Sequence, residues 1–289
     1  MVATLRLREV SVVSTVYDFD VSGSKPLFVV GVPRSGTTLV QTWLMSTGVI
    51  FSFPESHFFE RLSTNKAVYK QQIMNMRAWF LFARYARKSG IKRIPSIFLN
   101  YRGGGRVAAR IFGAEADREG AKFWLEKTPG HLSQMSLIRE LIPGAKFIIV
   151  TRCAAPTIAS LIEAEGHWKR SARNRTDSDA IARWFSDMSR IILERGSSDV
   201  CIIEYEKLME DSRSVAQQVS GFLDIDPSLF KSLDDLSTYA GCIVEGREVW
   251  KVNNLTGHRI EKSETIGRVD EKVRDVMNEL CKTFKGEGA

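Results

Sequence analysis

The stretch PLFVVGVPRSGTTLV, residues 26–40, decides the fold of this 289-residue chain. It begins with an apolar run, Leu27 to Val30, of the kind that forms a strand buried on both faces. A loop bounded by Gly31 and Gly36 follows, and an apolar helical pattern begins directly after it. The backbone N–H groups of such a loop converge where the positive end of the helix dipole points. The stretch therefore predicts a strand, an anion-binding loop and a helix N-terminus.

The loop has the G-x4-G spacing of a phosphate-binding P-loop, but the P-loop lysine is missing. Thr37 stands where a nucleotide triphosphatase carries that lysine, and the cation lies earlier, at Arg34. None of the later predicted strands ends in a clear Walker B aspartate, although Leu125 is followed by Glu126. Mg²⁺ in such enzymes is held by the loop hydroxyl and that acid. We therefore expect an anionic nucleotide other than a Mg²⁺-bound triphosphate.

Strand-like apolar runs alternate with helical patterns along the chain. Further strands are predicted at residues 49–53, 122–126, 146–150 and 200–203, and helices at 66–88, 131–141, 156–161 and from 177 onward. This alternation predicts a three-layer α/β/α fold with a central parallel sheet, similar to P-loop nucleoside-triphosphate hydrolases. Ligands of such sheets bind beyond the carboxyl ends of the strands. Glu55, which follows a strand stopped by Pro54, is expected at that edge.

No internal repeat, low-complexity tract or linker divides the chain, so we predict a single domain over residues 1–289. Residues 1–25 are expected to form an edge strand or an arm, 27–210 the core, and 211–289 a helical C-terminal part. The run Gly103–Gly105 is expected to form a flexible joint. The helix at 66–88 is expected to face the core with four residues, Ile73, Met76, Phe80 and Ala83.

The composition limits the classes of function. The apolar fraction of 44% and charged fraction of 26% are ordinary for a soluble globular protein. A net charge of +7 suits a polyanionic ligand such as a nucleotide, a nucleic acid or a membrane surface. The basic segment 167–176 lacks aromatic interleaving beyond Trp168, which favours a solvated or lid-forming loop over a nucleic-acid surface.

Cysteine usage and the N-terminus bear on location. The four cysteines are widely separated, without metal-ligand spacing, and indicate buried free thiols in a reducing compartment. No signal peptide and no apolar run long enough to span a membrane are evident, so we predict a cytoplasmic location. The sequence does not indicate an oligomeric state.

The motifs resemble one family, the sulfotransferases that use 3′-phosphoadenosine 5′-phosphosulfate (PAPS). Residues 32–39 resemble the family's 5′-phosphosulfate loop, in the form of the tyrosylprotein sulfotransferases and their bacterial relatives, which carry Arg where cytosolic aryl and steroid enzymes carry Lys. Arg152 and Ser160 match its 3′-phosphate motif. Residues 205–208 resemble its Tyr-Glu-x-Leu segment, and residues 126–129 another recurrent element.

These matches follow the family's order from residue 27 to about 210. Beyond them, Gly257 and Gly267-Arg268 are the expected counterparts of C-terminal cofactor contacts. One departure concerns residues 153–155, where Cys-Ala-Ala replaces the usual acidic-Pro-Arg continuation. We therefore expect the 3′-phosphate to be bound more weakly or by other residues.

The resemblance implies PAPS as donor, its desulfated product PAP, and no metal. It places the cofactor contacts on Arg34, Ser35, Gly36, Thr37, Thr38, Arg152, Ser160 and Tyr205. An arginine paired with a serine at a helix start suits a phosphate dianion, because the guanidinium binds two oxygens and the hydroxyl and N–H groups bind the rest.

Sulfuryl transfer to an alcohol needs a base at the acceptor oxygen and cations at the departing phosphate. Glu55 is our candidate base, and His57 competes for that role. The alternative for Glu55 is a carboxylate that only pairs with an arginine in the basic cleft. Arg34 is expected to stabilise charge on the bridging oxygen, and Lys127 to assist. His131, at a helix start, is expected to be structural.

The leading hypothesis is therefore transfer of a sulfuryl group from PAPS to a hydroxyl or amine. A P-loop kinase acting on a small molecule and a non-catalytic PAP or nucleotide binder are the alternatives. The acceptor stays open among small molecules, carbohydrates, lipids and peptides, and no nucleic-acid partner or membrane span is expected. Five aromatic residues either line an acceptor pocket or belong to the core: Phe58, Phe59, Trp79, Phe80 and Tyr85.

Overall fold

The computed structural model describes residues 23–62, 68–88, 101–167 and 177–236, together with positions 278 and 282. The strands are β1 Lys25–Gly31, β2 Ile50–Phe53, β3 Phe123–Lys127, β4 Lys146–Thr151 and β5 Val200–Glu204. The first helices are α1 Thr37–Met45, α2 Phe58–Arg61, α3 Val68–Lys88 and α4 Tyr101–Arg118. The later ones are α5 Met135–Leu141, α6 Ala154–His167, α7 Asp177–Glu194, α8 Tyr205–Glu210 and α9 Ser212–Leu223. Short 3₁₀ segments occupy Pro129–Gln134, Pro227–Leu229 and Leu233–Asp235.

Several predictions fall outside the described residues. They are the arm before residue 23, the basic segment from Trp168 to residue 176, the expected cofactor contacts at Gly257, Gly267 and Arg268, and the C-terminal part after residue 236 apart from positions 278 and 282.

The five strands form one parallel sheet in the order β2-β3-β1-β4-β5. Strand β1 lies at its centre, and Leu27 through Val30 are fully buried. Phe28 and Val30 pack with helices α2–α7 on one face, and Leu27 and Val29 pack with α1, α8 and α9 on the other. The three-layer α/β/α prediction is thus confirmed, since an apolar run buried on both faces requires a helical layer on each.

All five strands end at the same edge of the sheet, as parallel strands must. The P-loop follows β1, and residues 54–57 follow β2. Thr128 follows β3, Arg152 follows β4, and Tyr205 follows β5. The segments that carry the predicted site residues therefore meet at this one edge.

The expected flexible joint at Gly103–Gly105 is wrong. These glycines are buried within helix α4. A Cβ atom added to Gly105 would lie 2.5 Å from Cδ1 of Leu141, at the end of α5. Here glycine permits close contact between two helices. The triplet thus has a packing role that its composition alone does not distinguish from a hinge.

The core-facing side of α3 was also predicted incorrectly. Met76 is 39% exposed and Phe80 is 62% exposed, whereas Ala83 is buried as expected. The buried side instead carries Trp79 and Phe82, together with Ala78 and Ala86. The rings of Trp79 and Phe82 pack against Phe58, with centroids 6.4 and 4.7 Å away. The large aromatic side chains decide which side of this helix faces inward, because they bury the most apolar area.

The aromatic residues considered for an acceptor pocket belong mainly to the core. Phe58, Phe59 and Trp79 are almost fully buried. Phe80 is exposed, and the side chain of Tyr85 lies outside the described set. In the part of the chain that the structure describes, no helix is long and apolar enough to cross a membrane.

Candidate active site

The two glycines of the P-loop are required by close contacts as well as by backbone conformation. Gly31 has φ +151°, and a Cβ there would lie 2.4 Å from the carbonyl oxygen of Val150. Gly36 has φ +96°, and a Cβ there would lie 2.4 Å from Cδ2 of Tyr205. A side chain at either position would push the loop away from β4 or α8.

The N-terminus of α1 is suited to an anion. No side chain caps it, and its first turn holds no acidic residue. The first N–H groups of a helix have no partner within the helix, and the helix dipole adds partial positive charge there. Thr37 and Thr38 bring their hydroxyl groups to the same turn. These residues fit the phosphate end of a nucleotide.

Ser35 already has a partner for its hydroxyl group. This fully buried side chain donates from Oγ to the carbonyl oxygen of Val150 at 3.0 Å. Its backbone N–H donates to the carbonyl oxygen of Val32 at 3.1 Å. The hydroxyl of Ser35 thus holds the loop against β4, and its N–H closes a turn within the loop. An anion contact at Ser35 stays a prediction.

Arg34 joins two parts of the chain that the sequence presented separately. Its backbone has φ +75°, an unusual conformation for a residue with a side chain. Its Nε donates to Oγ of Ser160 at 2.9 Å, within helix α6. The 5′ loop and the predicted 3′-phosphate serine are therefore in direct contact, which the sequence did not indicate.

Arg152 and Ser160, predicted together, make no hydrogen bond with each other. The Arg152 guanidinium lies over the ring of Tyr205, 4.4 Å from its centroid. The N–H of Cys153, at the start of α6, donates to Oε1 of Glu206 at 2.8 Å. A carboxylate thus occupies the helix end where the sequence placed the 3′-phosphate. Any phosphate held here depends on side chains more than on this helix end.

Glu55 and Lys127 form an ion pair at the edge of the sheet. Lys127, at the end of β3, is only 2% exposed, and its Nζ also donates to Oγ1 of Thr38 at 3.3 Å. One lysine thus connects the candidate base to the first turn of α1. The alternative considered for Glu55 was an ion pair with an arginine, and the cation that it contacts is this lysine.

His57 lies between two carboxylates. Its Nε2 is 3.3 Å from Oε2 of Glu55, and its Nδ1 is 2.9 Å from Oε2 of Glu60. The hydrogen bond to Glu55 and then the one to Glu60 raise the pKa of His57 to about 9, against the opposing effect of burial. The imidazole is therefore protonated at neutral pH and cannot accept a proton there. This favours Glu55 over His57 as the base.

A second polar cluster lies beneath these residues. Glu126 and His131 are fully buried, and Nδ1 of His131 is 2.7 Å from Oε2 of Glu126. Burial alone would raise the pKa of Glu126, but the charge and hydrogen bond of His131, with the hydroxyls of Ser56 and Thr128, hold it below its usual range. Sequence reasoning considered Glu126 as a possible Walker B acid and as part of the 126–129 element, and it did not connect Glu126 to His131.

The described residues contain no group of three or more His, Cys, Asp or Glu side chains arranged to hold a metal. At one edge of the parallel sheet, the site brings together the P-loop, a buried lysine and a carboxylate.

Comparison with known proteins agrees with this class. The profile of the Sulfotransferase family matches residues 26–228, which include every site residue described above. The chain belongs to this family. No individual curated protein matches its sequence.

Two solved structures show how far the similarity extends. The sulfotransferase domain from the curacin biosynthetic pathway is 15% identical, with a TM-score of 0.54 over 89% of this chain and 98% of that one. Sulfotransferase STF9 from Mycobacterium avium is 14% identical, with a TM-score of 0.50 over 90% of this chain and 76% of that one. At these identities the similarity establishes the shared fold.

Proposed function

We propose that this protein transfers a sulfuryl group from PAPS to a hydroxyl or amine and releases PAP. The observation that carries the proposal is the set of contacts from Glu55 through Lys127 to Thr38. In this set a carboxylate, a buried lysine and an uncapped helix end lie next to one another. That combination is what in-line transfer from an anionic donor requires.

The two ends of the donor have separate candidate contacts. The first turn of α1, with Thr37 and Thr38, suits the 5′-phosphosulfate because its N–H groups are uncapped. Arg152 and Ser160 suit the 3′-phosphate, as the family resemblance implies. Arg34 belongs to the loop and donates a hydrogen bond to Ser160. Its guanidinium therefore lies between the contacts proposed for the 5′ and 3′ ends of the donor.

Bound PAPS would supply the sulfuryl group, which moves to the acceptor oxygen as its bond to the 5′-phosphate breaks. Glu55 takes the proton of the acceptor hydroxyl. Lys127 is placed to follow the developing negative charge, since it already lies between Glu55 and the α1 hydroxyl of Thr38. His57, protonated at neutral pH, adds a second positive charge beside the Glu55 carboxylate.

The test uses radiolabelled PAPS with phenol, sugar, hydroxylated-lipid and tyrosine-peptide acceptors. Wild-type protein is expected to label at least one class. Glu55→Gln is expected to lower kcat by about 10²–10⁴-fold, the usual contribution of a general base, and to leave PAP affinity nearly unchanged. Glu60→Gln is the matched control, because it removes the other carboxylate beside His57 and leaves both members of the Glu55–Lys127 ion pair unchanged.

Three results would overturn parts of this proposal. Full turnover by Glu55→Gln would remove Glu55 from the base role. Turnover of ATP·Mg²⁺ with none of PAPS would favour the P-loop kinase. Tight PAP binding without transfer to any acceptor would favour the non-catalytic binder.

A further inference from the structure

We propose that Glu126, held by His131, is a positioning residue that fixes the segment carrying Glu55 and His57. The catalytic consequence rests on the proposed function, in which Glu55 is the base. The positioning itself is a property of the fold and can be measured without any transfer reaction.

A single carboxylate oxygen collects the contacts of this segment. Oε1 of Glu126 accepts from the Ser56 N–H at 3.1 Å and from the Ser56 hydroxyl at 2.7 Å. It also accepts a hydrogen bond from the Thr128 hydroxyl at 2.7 Å. The Oγ1 atom of Thr128 in turn accepts a hydrogen bond from the His57 N–H at 3.3 Å. Ser56 lies between Glu55 and His57 in the chain. Glu126 therefore holds the backbone N–H of Ser56 directly and that of His57 through Thr128.

The other oxygen of Glu126 is held by His131. Nδ1 of the imidazole lies 2.7 Å from Oε2, and the ring packs edge-on against Phe28 and Phe59. The aromatic side chains pack around the ring, and the ring lies against the carboxylate. Residues 54–57 have no regular structure of their own, so this pair supplies a rigid support from below.

The two adjacent residues at the end of β3, Glu126 and Lys127, thus contact different parts of the segment. Side chains of successive strand residues point to opposite sides. Lys127 reaches the side chain of Glu55, and Glu126 reaches the backbone of Ser56. The two contacts together determine where the Glu55 carboxylate lies relative to the first turn of α1.

Stability alone does not account for a fully buried carboxylate beside an imidazole. Removing an ionised carboxylate from water costs several kcal/mol, and apolar residues of similar size are often at least as stable. The pair replaces apolar packing in the centre of an aromatic cluster, directly below the candidate base. Its directional contacts to one catalytic segment are what apolar side chains could not provide.

His57 offers a direct readout of the position of this segment. The groups that face it are Glu55 on its own segment and Glu60 on α2, and Glu60 in turn feels the charges of His131 and Glu126. The contact with Glu55 exists only while the segment keeps its conformation, with His57 at φ +51°. Release of the segment would loosen that contact and lower the pKa of His57.

The experiment follows the His57 imidazole by NMR titration in the full-length protein, assigned with His57→Gln. We expect His57 to titrate near pH 9 in the wild type. In Glu126→Gln we expect its pKa to fall by roughly one unit or more toward the ordinary value of about 6.5. Transfer should fall about 10–100-fold in kcat, with PAP affinity nearly unchanged, because small displacements of a catalytic group have effects of this size.

The control is Asp187→Asn, which alters a buried carboxylate of α7 that pairs with Arg183 and Arg190. It is expected to change thermal stability without moving the His57 titration. Thr128→Val removes the contact to the His57 N–H and leaves Glu126 in place. It should shift the His57 pKa in the same direction, and it carries the test if Glu126→Gln does not fold.

The outcomes distinguish a failure of the positioning role from a failure of the proposed function. A lowered His57 pKa in the variants supports the positioning role. If that shift occurs but the wild type transfers nothing from PAPS, the proposed function fails and the positioning role stands. If the wild type is active and Glu126→Gln changes neither the His57 pKa nor kcat, or only lowers stability as Asp187→Asn does, the positioning role is wrong.

Discussion

At the scale of single residues, Arg34 changes what the P-loop is suited to bind. Its guanidinium reaches Ser160 on α6, so the cation of the loop points toward a neighbouring helix. Arg34 and His57 are two of only three non-glycine residues with positive φ in the described part of the chain. Both belong to the candidate site, where strained backbone is commonly retained for function.

Glu206 yields a prediction about the 3′ end of the donor. Its Oε1 accepts the Cys153 N–H, and its buried Oε2 has no hydrogen-bond partner among the described residues. A carboxylate beside Arg152 opposes a bound phosphate. Glu206→Gln keeps an acceptor for Cys153 and removes the charge, so we expect PAP affinity to rise by about 1 kcal/mol, roughly fivefold. Isothermal titration at constant ionic strength measures this change.

Glu210→Gln is the matched control, because Glu210 lies exposed on the same short helix and carries the same charge. It should change PAP affinity much less than Glu206→Gln does. Equal or weaker PAP binding by Glu206→Gln would show that Glu206 does not face the 3′-phosphate.

At the scale of elements, the glycines of α4 divide into two kinds. A Cβ at Gly105 would lie 2.5 Å from Leu141, whereas a Cβ at Gly113 would meet Trp124 at 3.7 Å, an ordinary contact. Alanine favours a helix over glycine by about 1 kcal/mol. We therefore expect Gly113→Ala to raise the free energy of unfolding by up to about 1 kcal/mol. Gly105→Ala is expected to lower it by about 1–3 kcal/mol through overpacking.

Chemical denaturation of both variants tests this difference within one helix. If Gly105→Ala stabilises the protein as much as Gly113→Ala does, α4 and α5 do not pack closely at Leu141. That result would also restore the interpretation of residues 103–105 as a flexible segment.

The elements show what could be predicted from the sequence. Strands β1 and β4 were predictable, because apolar runs buried on both faces leave a continuous pattern. The inward side of α3 was not, because Met76 and Phe80 fit the helical period as well as Trp79 and Phe82 do. Periodicity specifies a helix, but only the packing partners decide its rotation.

At the scale of the whole molecule, the candidate site combines residues far apart in the chain. The sequence placed Glu55, Lys127 and the P-loop at one edge, because parallel strands end together. It could not indicate that Arg34 contacts Ser160, or that Glu126 and His131 lie beneath the base. Such contacts depend on side-chain directions that become defined only when the layers pack.

The central claim is that this P-loop holds a bisphosphorylated adenosine without Mg²⁺, and equilibrium binding tests it most directly. Purified protein is titrated with PAP and with ATP by calorimetry, each in EDTA and in Mg²⁺. We predict that PAP binds equally well in both buffers and that ATP, which lacks the 3′-phosphate, binds much more weakly in either. No binding of PAP, together with Mg²⁺-dependent binding of ATP, would contradict the account.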